Sequence, residues 1–437
     1  MEKSEILNVL VDQYRDIDTG ELWQRQVDLS AHLNNREVSV ITGVRRSGKS
    51  SLLSLIAAHL GSKESILYLN FEDIRLVSFE LADFQKALDA WLELKPSTPE
   101  RIFFFYDEIQ AVDGWQRWIA QLAKKRHYKV FITGSNSKLL SGELASLLTG
   151  RHLPLTLYPF SFGEVAHNLL KHGRESLNSQ TTVNPTLWFD SEFRTEVRRI
   201  LLRYMEYGGF PRVLLGQEKR LLSSYFTDIV LKDIVVRHGV RNERALLELG
   251  SILMADATKL MNKSRLASAV GLKDAETVNS YLHYFTETYL GFDVKGYSHS
   301  KQTALRSQSK FYAVDHALAS FVGGTVSPNV GATLENMVYI ELLRRRYAPS
   351  YWRSKEGHEV DFIIKQGRRI SHAIQVSASL AHQETRDREV RALRAAATEI
   401  RPEKLLIITL DSTVYTDVND ISVISFEEWA MSGFGGE

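Results

Sequence analysis

Apolar runs of strand length recur through the first third of the chain and alternate with segments of helical spacing. The helical segments include residues 79–94 and 115–124. The apolar runs are residues 38–42, 66–69, 102–106, 130–133 and 153–157. Alternation of this kind predicts an α/β fold in which a parallel sheet has helices on both faces.

The composition is typical of a folded protein with several domains. The 437 residues are 44% apolar and 24% charged, with a formal net charge of +1. The chain has no Cys, which excludes disulfides and cysteine nucleophiles and fits a reducing cytosol. No run approaches the roughly 18 apolar residues that span a bilayer. We therefore expect a cytoplasmic protein without a membrane partner.

Residues 43–50 read GVRRSGKS, directly after the first predicted strand and before an apolar helical run. In this context the spacing is typical of a loop that binds nucleotide phosphates through backbone N–H groups; a Gly-rich turn is the alternative. We expect Lys49 to reach the β- and γ-phosphate oxygens of ATP and Ser50 to bind Mg²⁺. The predicted nucleotide-binding residues are Gly43, Gly48, Lys49, Ser50 and Ser51.

Two acids follow the third predicted strand, in RIFFFYDEIQ. We expect Asp107 to hold Mg²⁺ through water, and Glu108 to orient and activate the water that attacks the γ-phosphate. A solvated turn is the alternative, but the two motifs occur together in the order that an ATPase needs. The sequence therefore predicts ATP hydrolysis with Mg²⁺.

Further polar candidates lie next to the last two strands of this region. After the fourth strand, Ser135 or Asn136 is a candidate γ-phosphate sensor. Asn136 is preferred because its amide can hold the lytic water, and a capped turn is the alternative. Arg151 precedes the fifth strand, where it is either a finger offered to a neighbouring subunit's γ-phosphate or a surface cation.

Six motifs occur in order along the chain: GVRRSGKS, LYLNFEDIR, FYDEIQAVDGWQ, FITGSNSKLLSGELASLLTGR, LPLTLYPFSFGEV and YGGFPRV. Together they resemble the AAA-superfamily ATPases of bacteria and archaea that carry a C-terminal domain of unknown function. The resemblance adds Arg45 and Arg46 as phosphate or interface contacts. It also implies a homo-oligomer, with a hexamer as the family-level expectation.

The same resemblance implies a division into four domains. These are an AAA-type P-loop ATPase domain (1–159), a helical linker or lid (160–245), a winged helix-turn-helix (246–325) and a restriction-endonuclease-like domain (326–437). The spacing of the third region agrees with this division. A first helix at 264–270, a turn at Gly271 and a second helix at 274–288 precede a strand and a basic segment.

Positive charge is concentrated in this part of the chain. Residues 219–310 hold 14 Lys or Arg against 9 Asp or Glu, and the predicted flexible wing, KGYSHSKQTALRSQSK, has no acid. We expect this region to bind DNA by its structure more than by its sequence. Asp274 and Glu276 oppose a DNA backbone, so packing or protein contact is the alternative. The candidate contacts are Lys263, Arg265, Lys273, Asn279, Lys295, Lys301, Arg306 and Lys310.

The last third of the chain has the outline of a nuclease site. Glu335, Asp361 and Gln375 follow the order of metal ligands in a restriction-endonuclease-like core. Gln is a weaker ligand than a carboxylate, and Ser377 stands where a lysine would stabilise the attacking hydroxide. Lys355, earlier in the motif, could substitute for that lysine. We expect a degenerate nuclease site, with an active one as the alternative.

Three functions fit these expectations. The first is an ATP-driven protein that remodels DNA, including branched or forked DNA. The second is a switch in which ATP controls association with a protein partner. The third is a Mg²⁺-dependent nuclease whose cutting is licensed by ATP. ATP hydrolysis is common to all three.

Overall fold

The computed structural model describes residues 1–17, 22–61, 63–95, 99–140, 147–148, 150–170, 185–324, 329–411 and 420–432. The chain divides into two compact units. The first is Met1–Tyr158 with Glu287–Tyr289, and the second is Pro159–Thr286 with Leu290–Glu437. The finer division into four domains at residues 159, 245 and 325 stays a prediction.

A five-stranded sheet forms the centre of the first unit. Its strands are β1 (Val38–Thr42), β2 (Ile66–Asn70), β3 (Ile102–Asp107), β4 (Tyr128–Gly134) and β5 (His152–Thr156). They lie in the order β2-β3-β4-β1-β5, and every neighbouring pair is parallel. The predicted parallel sheet is confirmed. Its order brings the carboxyl ends of β1, β4 and β3 side by side at one edge, the edge where open α/β sheets bind ligands.

Apolar layers cover both faces of this sheet. Successive side chains of a strand point to opposite faces. Phe104 and Tyr106 accordingly pack with Trp118 on one side, whereas Phe105 packs with Leu52 on the other. The helices of this unit are α1 (Lys3–Asp16), α2 (Ser30–Asn34), α3 (Lys49–His59), α4 (Asp83–Glu93) and α5 (Trp115–Leu122).

The second unit is rich in helices. They are α6 (Phe162–Leu169), α7 (Ser191–Tyr207), α8 (Pro211–Gly216), α9 (Leu221–Asp228), α10 (Val236–His238), α11 (Glu243–Ala255), α12 (Lys263–Ala269), α13 (Ala275–Glu287), α14 (Lys301–Arg306), α15 (His316–Val322), α16 (Val330–Arg344), α17 (Gln383–Glu399) and α18 (Phe426–Ser432). None of the helices in the described parts of the chain combines the length and apolar character that crossing a bilayer requires.

The strands of a small antiparallel sheet lie on either side of the helix pair α12 and α13 in the chain. Its strands β6 (Leu260–Met261), β7 (Gly291–Lys295) and β8 (Ser309–Ala313) lie in the order β6-β8-β7. Between α12 and α13, Gly271 has φ +67°. The segment between β7 and β8 was expected to be a flexible wing, but part of it is the helix α14. Ser300 caps α14 by accepting the N–H of Thr303 at 3.4 Å, and strong helix formers follow it.

A second five-stranded sheet closes the chain. Its strands are β9 (Ser350–Arg353), β10 (Glu359–Gln366), β11 (Arg369–Ser377), β12 (Lys404–Thr409) and β13 (Ser422–Ser425), in the order β13-β12-β11-β10-β9. The β9–β10 and β10–β11 pairs are antiparallel, and the β11–β12 and β12–β13 pairs are parallel. Val390 and Leu393 of α17 pack with Ile363 and Ile407 of the sheet.

Candidate active site

The loop at residues 43–50 joins β1 to α3 and turns on two glycines. Gly43 has φ +149°, and a Cβ there would lie 2.1 Å from the carbonyl oxygen of Leu157. Gly48 has φ +98° and directly precedes α3. The N–H groups of the first helical turn have no acceptor within their helix. The loop therefore presents donors suited to a phosphate group.

Two side-chain donors lie within this loop. Lys49 is 5% exposed, and its Nζ lies 3.3 Å from the carbonyl oxygen of Gly43 and 3.2 Å from Oε1 of Glu108. Ser47 is fully buried, and its hydroxyl makes no hydrogen bond with any residue that the structure describes. A buried ammonium and an unpaired hydroxyl are donors that phosphate oxygens could engage.

Asp107 ends β3 and accepts hydrogen bonds from three hydroxyl groups. The donors are Ser50, Thr133 and, at 3.2 Å from Oδ2, Tyr68. Burial raises the pKa of Asp107 above its usual value, and the hydrogen bonds from Ser50 and Thr133 offset only part of this rise. The two predicted Mg²⁺ ligands, Ser50 and Asp107, are thus in contact. Oxygen ligands of this kind beside a phosphate site fit Mg²⁺, which uses few protein groups together with substrate phosphates.

Glu108 follows Asp107 in a left-handed backbone conformation, with φ +51°, which is uncommon for a residue other than Gly. Its N–H donates to Oγ1 of Thr133 at 3.0 Å, and its carboxylate contacts Lys49 and Gln110. Burial alone would raise the pKa of Glu108. The charge of Lys49 and the hydrogen bond from Gln110 outweigh burial, so this pKa lies below its usual value. Glu108 is therefore ionised at neutral pH, as a general base must be.

Sequence reasoning missed Thr133, which links the two acids. Its hydroxyl donates to Asp107 and accepts the N–H of Glu108. The available signal is a hydroxyl residue near the carboxyl end of β4, the strand beside β3. Ser135 and Asn136 are both buried just beyond it. The sensor role of Asn136 stays a prediction.

The other predicted residues of this unit lie around the centre or away from it. Arg45 pairs with Glu72, whereas Arg46 and Ser51 are exposed. Arg151 is exposed at the amino end of β5, which runs parallel to β1 in matching register. The phosphate loop follows the opposite end of β1, so a strand length of roughly 15 Å separates the two. The structure therefore does not bring Arg151 to the phosphate loop of its own subunit.

The predicted DNA contacts of this region include both exposed and paired cations. Lys263 lies 2.7 Å from Oδ1 of Asn279 and 3.2 Å from Oδ2 of Asp293. Lys295 is half-buried, with its Nζ 3.8 Å from the same Asp293 oxygen. One acid thus offsets part of the charge of two lysines. The candidates with exposed side chains are Arg265, Lys273, Lys301 and Arg306.

Lys310 is not a surface cation, and the structure corrects its assignment as a DNA contact. Its side chain is 3% exposed, and Nζ lies 2.8 Å from Oε1 of Glu359, 3.0 Å from Oε1 of Glu335 and 3.5 Å from Oδ1 of Asp361. Burial alone would lower the pKa of this ammonium, but the three carboxylates raise it above its usual value. We call these four residues the Lys310 cluster.

The remaining residues of the predicted nuclease site have other partners. Gln375 accepts the N–H of Asp361 at 3.3 Å and donates its amide to Glu389 of α17. Ser377 donates to the carbonyl oxygen of Ser379. Lys355 is exposed in the turn between β9 and β10. Within the described ranges, no group of three or more His, Cys, Asp or Glu residues has the arrangement of a metal site.

The Lys310 cluster predicts a pH-dependent stability. Burial raises the pKa of Asp361 well above its usual value, and Glu335 raises it further. A carboxyl with a raised pKa in the folded state stabilises the fold while it is protonated, and this contribution is lost as the pH rises through the folded pKa. We expect the thermal midpoint of the second unit to fall from about pH 5 to about pH 8, and to fall less in Asp361→Asn.

The control for this experiment is Asp387→Asn, which changes an exposed acid of α17. Its midpoint should follow the wild-type pH dependence. Parallel curves for wild type and Asp361→Asn would contradict the raised pKa of Asp361.

Comparisons with known proteins identify the family. Residues 35–166 match the AAA domain, and residues 198–328 and 330–429 match two domains of unknown function, DUF8612 and DUF4143. An uncharacterized protein of Haemophilus influenzae is 32% identical over 406 residues, which cover 90% of this chain and 94% of that protein. Uncharacterized protein MJ1544 of Methanocaldococcus jannaschii is 30% identical over 425 residues, covering 93% of this chain and 90% of that protein.

Solved structures give weaker likenesses. The ORC1 protein of Aeropyrum pernix, solved in complex with DNA, is 10% identical and covers 68% of this chain and 89% of that chain, with a TM-score of 0.31. Cdc6p from Pyrobaculum aerophilum is 9% identical and covers 78% of this chain and 98% of that chain, with a TM-score of 0.24. At these scores neither likeness bears on fold or function. From its matching domains and its relatives over nearly the whole length, the chain belongs to the AAA-superfamily ATPases that carry a C-terminal domain of unknown function, DUF4143.

Proposed function

We propose that this protein hydrolyses ATP at the edge of the sheet where β1, β4 and β3 end. The proposal rests on the contacts of Ser50 with Asp107 and of Lys49 with Glu108. They gather the phosphate-binding lysine, the Mg²⁺ ligands and the base into one polar cluster. Ser50 and Asp107 would hold Mg²⁺, and Lys49 would bind the β- and γ-phosphate oxygens. Mg²⁺, when bound, neutralises charge on those oxygens.

Glu108 would act as the base for the attacking water. The water oxygen forms a bond to the γ-phosphorus, its proton passes to the carboxylate, and the bond from that phosphorus to the β-phosphate oxygen breaks, which gives ADP and phosphate. Lys49 contacts Glu108 in the structure. When ATP binds, Lys49 would contact the phosphate oxygens instead of Glu108. The carboxylate of Glu108 would then be available to accept the proton of the water.

We also propose that the second unit binds DNA through a winged helix-turn-helix and a degenerate restriction-endonuclease-like domain. The order α12, α13, β7, β8 supports a winged helix. The antiparallel strands β9 to β11, followed by α17 and the parallel strand β12, support the nuclease-like core. The exposed cations Arg265, Lys273, Lys301 and Arg306 are suited to phosphate contact.

The function we propose is ATP-driven remodelling of branched or forked DNA. The protein would act as a homo-oligomer in which Arg151 faces a neighbouring subunit's nucleotide, since it does not face its own. Lys310 fills the space between Glu335, Glu359 and Asp361. The ammonium of Lys310 occupies the position between these carboxylates where a nuclease would hold Mg²⁺. This disfavours the alternative of an ATP-licensed nuclease.

A panel of DNA structures tests this function. ATP hydrolysis would be measured with Mg²⁺ in the presence of no DNA, linear duplex, forked DNA and a four-way junction. We expect forked and four-way DNA to stimulate phosphate release. Lys49→Ala should weaken ATP binding roughly 100-fold and abolish the response, because it removes the side-chain cation of the phosphate loop.

Lys124→Ala, an exposed lysine of the same unit, is the matched control and should behave as wild type. Turnover that is indifferent to every DNA would favour the protein switch. DNA scission that needs Mg²⁺, survives Glu108→Gln and disappears in Asp361→Ala would favour the nuclease.

A further inference from the structure

A concave basic surface lies where the segment after β7 meets the turn between β10 and β11. It encloses about 280 Å³, and the residues that characterise it are Tyr297, His299, Lys365, Arg368, Arg369 and Arg401. We call it the wing groove. None of its four Lys and Arg residues is among the DNA contacts predicted from the sequence.

The backbone fixes the segments that form the wing groove. The N–H of Tyr297 donates to the carbonyl oxygen of Tyr351 in β9 at 2.6 Å. The N–H of Glu403, beside Arg401, donates to the carbonyl oxygen of Ile370 in β11 at 2.9 Å. Arg368 is at the tip of a two-residue turn in which Gly367 has φ +60°, a conformation that tight hairpins require. The cations are therefore carried by a preformed framework.

The charge of the wing groove is largely uncompensated. Arg369 pairs with Glu403 at 3.5 Å, and Glu403 is the one acid among the lining residues. Lys365, Arg368 and Arg401 are exposed and form no ion pair with the residues described. Three free cations in one concavity attract a polyanion and release counterions when it binds.

An aromatic ring lies among these cations. Tyr297 is half-buried, and its hydroxyl is 3.3 Å from Nδ1 of His299. Lys365 and Tyr297 also line an adjoining groove of about 430 Å³ that reaches Lys295. Asp293, which pairs with Lys295, lines this adjoining groove as well, so past the ring the uncompensated positive charge is that of Lys365. Cations that follow a backbone, combined with an aromatic platform for a base, are typical of sites for single-stranded nucleic acid.

We propose that the wing groove binds single-stranded DNA of the kind exposed at a fork. This inference rests on the proposed DNA-binding function and assigns the single strand to a surface other than the helix α13. The helix is the weaker candidate because Lys263 is engaged by Asn279 and Asp293. Asp274 and Glu276 also lie at the start of α13, where they would face a phosphate backbone.

Three charge-reversal variants of the full-length protein test the proposal. The groove variant is Lys365→Glu/Arg368→Glu/Arg401→Glu, and the helix variant is Arg265→Glu/Lys273→Glu. The control is Lys124→Glu/Lys125→Glu/Arg126→Glu, which makes the same charge change on exposed residues of the first unit. Affinity for a fluorescein-labelled single strand and for a duplex of equal length would be measured over a range of salt concentrations. Circular dichroism and thermal midpoints would establish that each variant folds.

We expect the groove variant to lose at least about tenfold in affinity for the single strand. The slope of log affinity against log salt should become shallower by about 2, since each phosphate contact to a single strand contributes about 0.7. The control variant should stay within about threefold of wild type. The helix variant, which reverses cations proposed above to contact DNA phosphates, should lose less single-strand affinity than the groove variant. Tyr297→Leu should weaken single-strand binding roughly fivefold or more and leave duplex binding nearly unchanged, because it removes a stacking surface. A folded Arg368→Ala variant, which changes only the tip of the turn, should reduce the slope in the same direction.

The possible failures are distinguishable. If wild type binds DNA but the groove variant binds as tightly, the wing groove is wrong and the proposed DNA function survives. If the helix or control variant loses as much affinity as the groove variant, the binding surface is not the groove. If wild type binds neither the single strand nor the duplex, the proposed DNA function itself fails.

Discussion

Glu108→Gln is expected to bind ATP but to hydrolyse it at least about 100-fold more slowly than wild type. The amide keeps the size and hydrogen-bonding reach of the carboxylate but cannot accept the proton of the attacking water. ATP affinity should be equal or higher, because Lys49 loses the carboxylate that it contacts in the structure. Single-turnover hydrolysis together with binding of a fluorescent ATP analogue measures both effects.

The matched control is Glu93→Gln, which changes an exposed glutamate at the end of α4. It should hydrolyse ATP at the wild-type rate. Wild-type turnover by Glu108→Gln would mean that Glu108 is not the base.

Lys310→Met should destabilise the second unit by about 3–5 kcal/mol at neutral or higher pH. Methionine has a similar length but leaves Glu335, Glu359 and Asp361 without the cation that they share. Removing one partner of a buried ion cluster costs far more than removing an exposed charge. The loss should shrink as the pH falls, because burial raises the pKa values of Glu335 and Asp361, which therefore become neutral first. Urea denaturation at two pH values, followed by a probe in the second unit, measures this loss.

Two variants make this result specific. Lys301→Met replaces an exposed lysine of α14, the helix that precedes β8, and should change stability by less than about 0.5 kcal/mol. Lys310→Met/Glu335→Gln/Asp361→Asn removes two of the stranded charges and should recover at least half of the lost stability. If Lys310→Met unfolds at the same urea concentration as Lys301→Met, Lys310 does not hold the cluster together.

The sequence was most informative where structure is decided locally. A buried parallel strand is apolar at nearly every position, so β1, β2, β3 and β4 were visible as runs. The edge strand β5 is mostly half-buried, but it too contains a short apolar run. The phosphate loop is a short continuous motif. The strand before it and the helix after it are its neighbours in the sequence as well as in the fold. Asp107 and Glu108 were found for the same reason, because the ends of adjacent parallel strands meet at one edge.

Contacts between distant parts of the chain could not be predicted in this way. Lys310 belongs to a basic stretch, and nothing in that stretch indicates that its side chain turns inward. Its partners Glu335 and Asp361 follow 25 and 51 residues later. Thr133 lies within an apolar strand, and nothing in that strand indicates that its hydroxyl contacts Asp107 and Glu108. The role of Thr133 depends on the neighbouring strand β3, which brings Asp107 and Glu108 to its hydroxyl.

The charge of the middle region illustrates the same limit. The count of basic residues predicted a positive surface but not its position. Lys263 and Lys310 are paired with acids, whereas Lys365, Arg368 and Arg401, which lie outside the region that was counted, are free in solvent among the residues described. Ion pairing depends on which segments the fold brings together, and composition carries no information about that.

The most direct test of the central claim is phosphate release from ATP by the wild-type protein with Mg²⁺, with and without forked DNA, measured against Lys49→Ala as background. The proposed site predicts release that disappears in Lys49→Ala and falls at least about 100-fold in Glu108→Gln. Wild-type release no greater than the Lys49→Ala background under every one of these conditions would contradict an ATPase site at the carboxyl edge of the sheet.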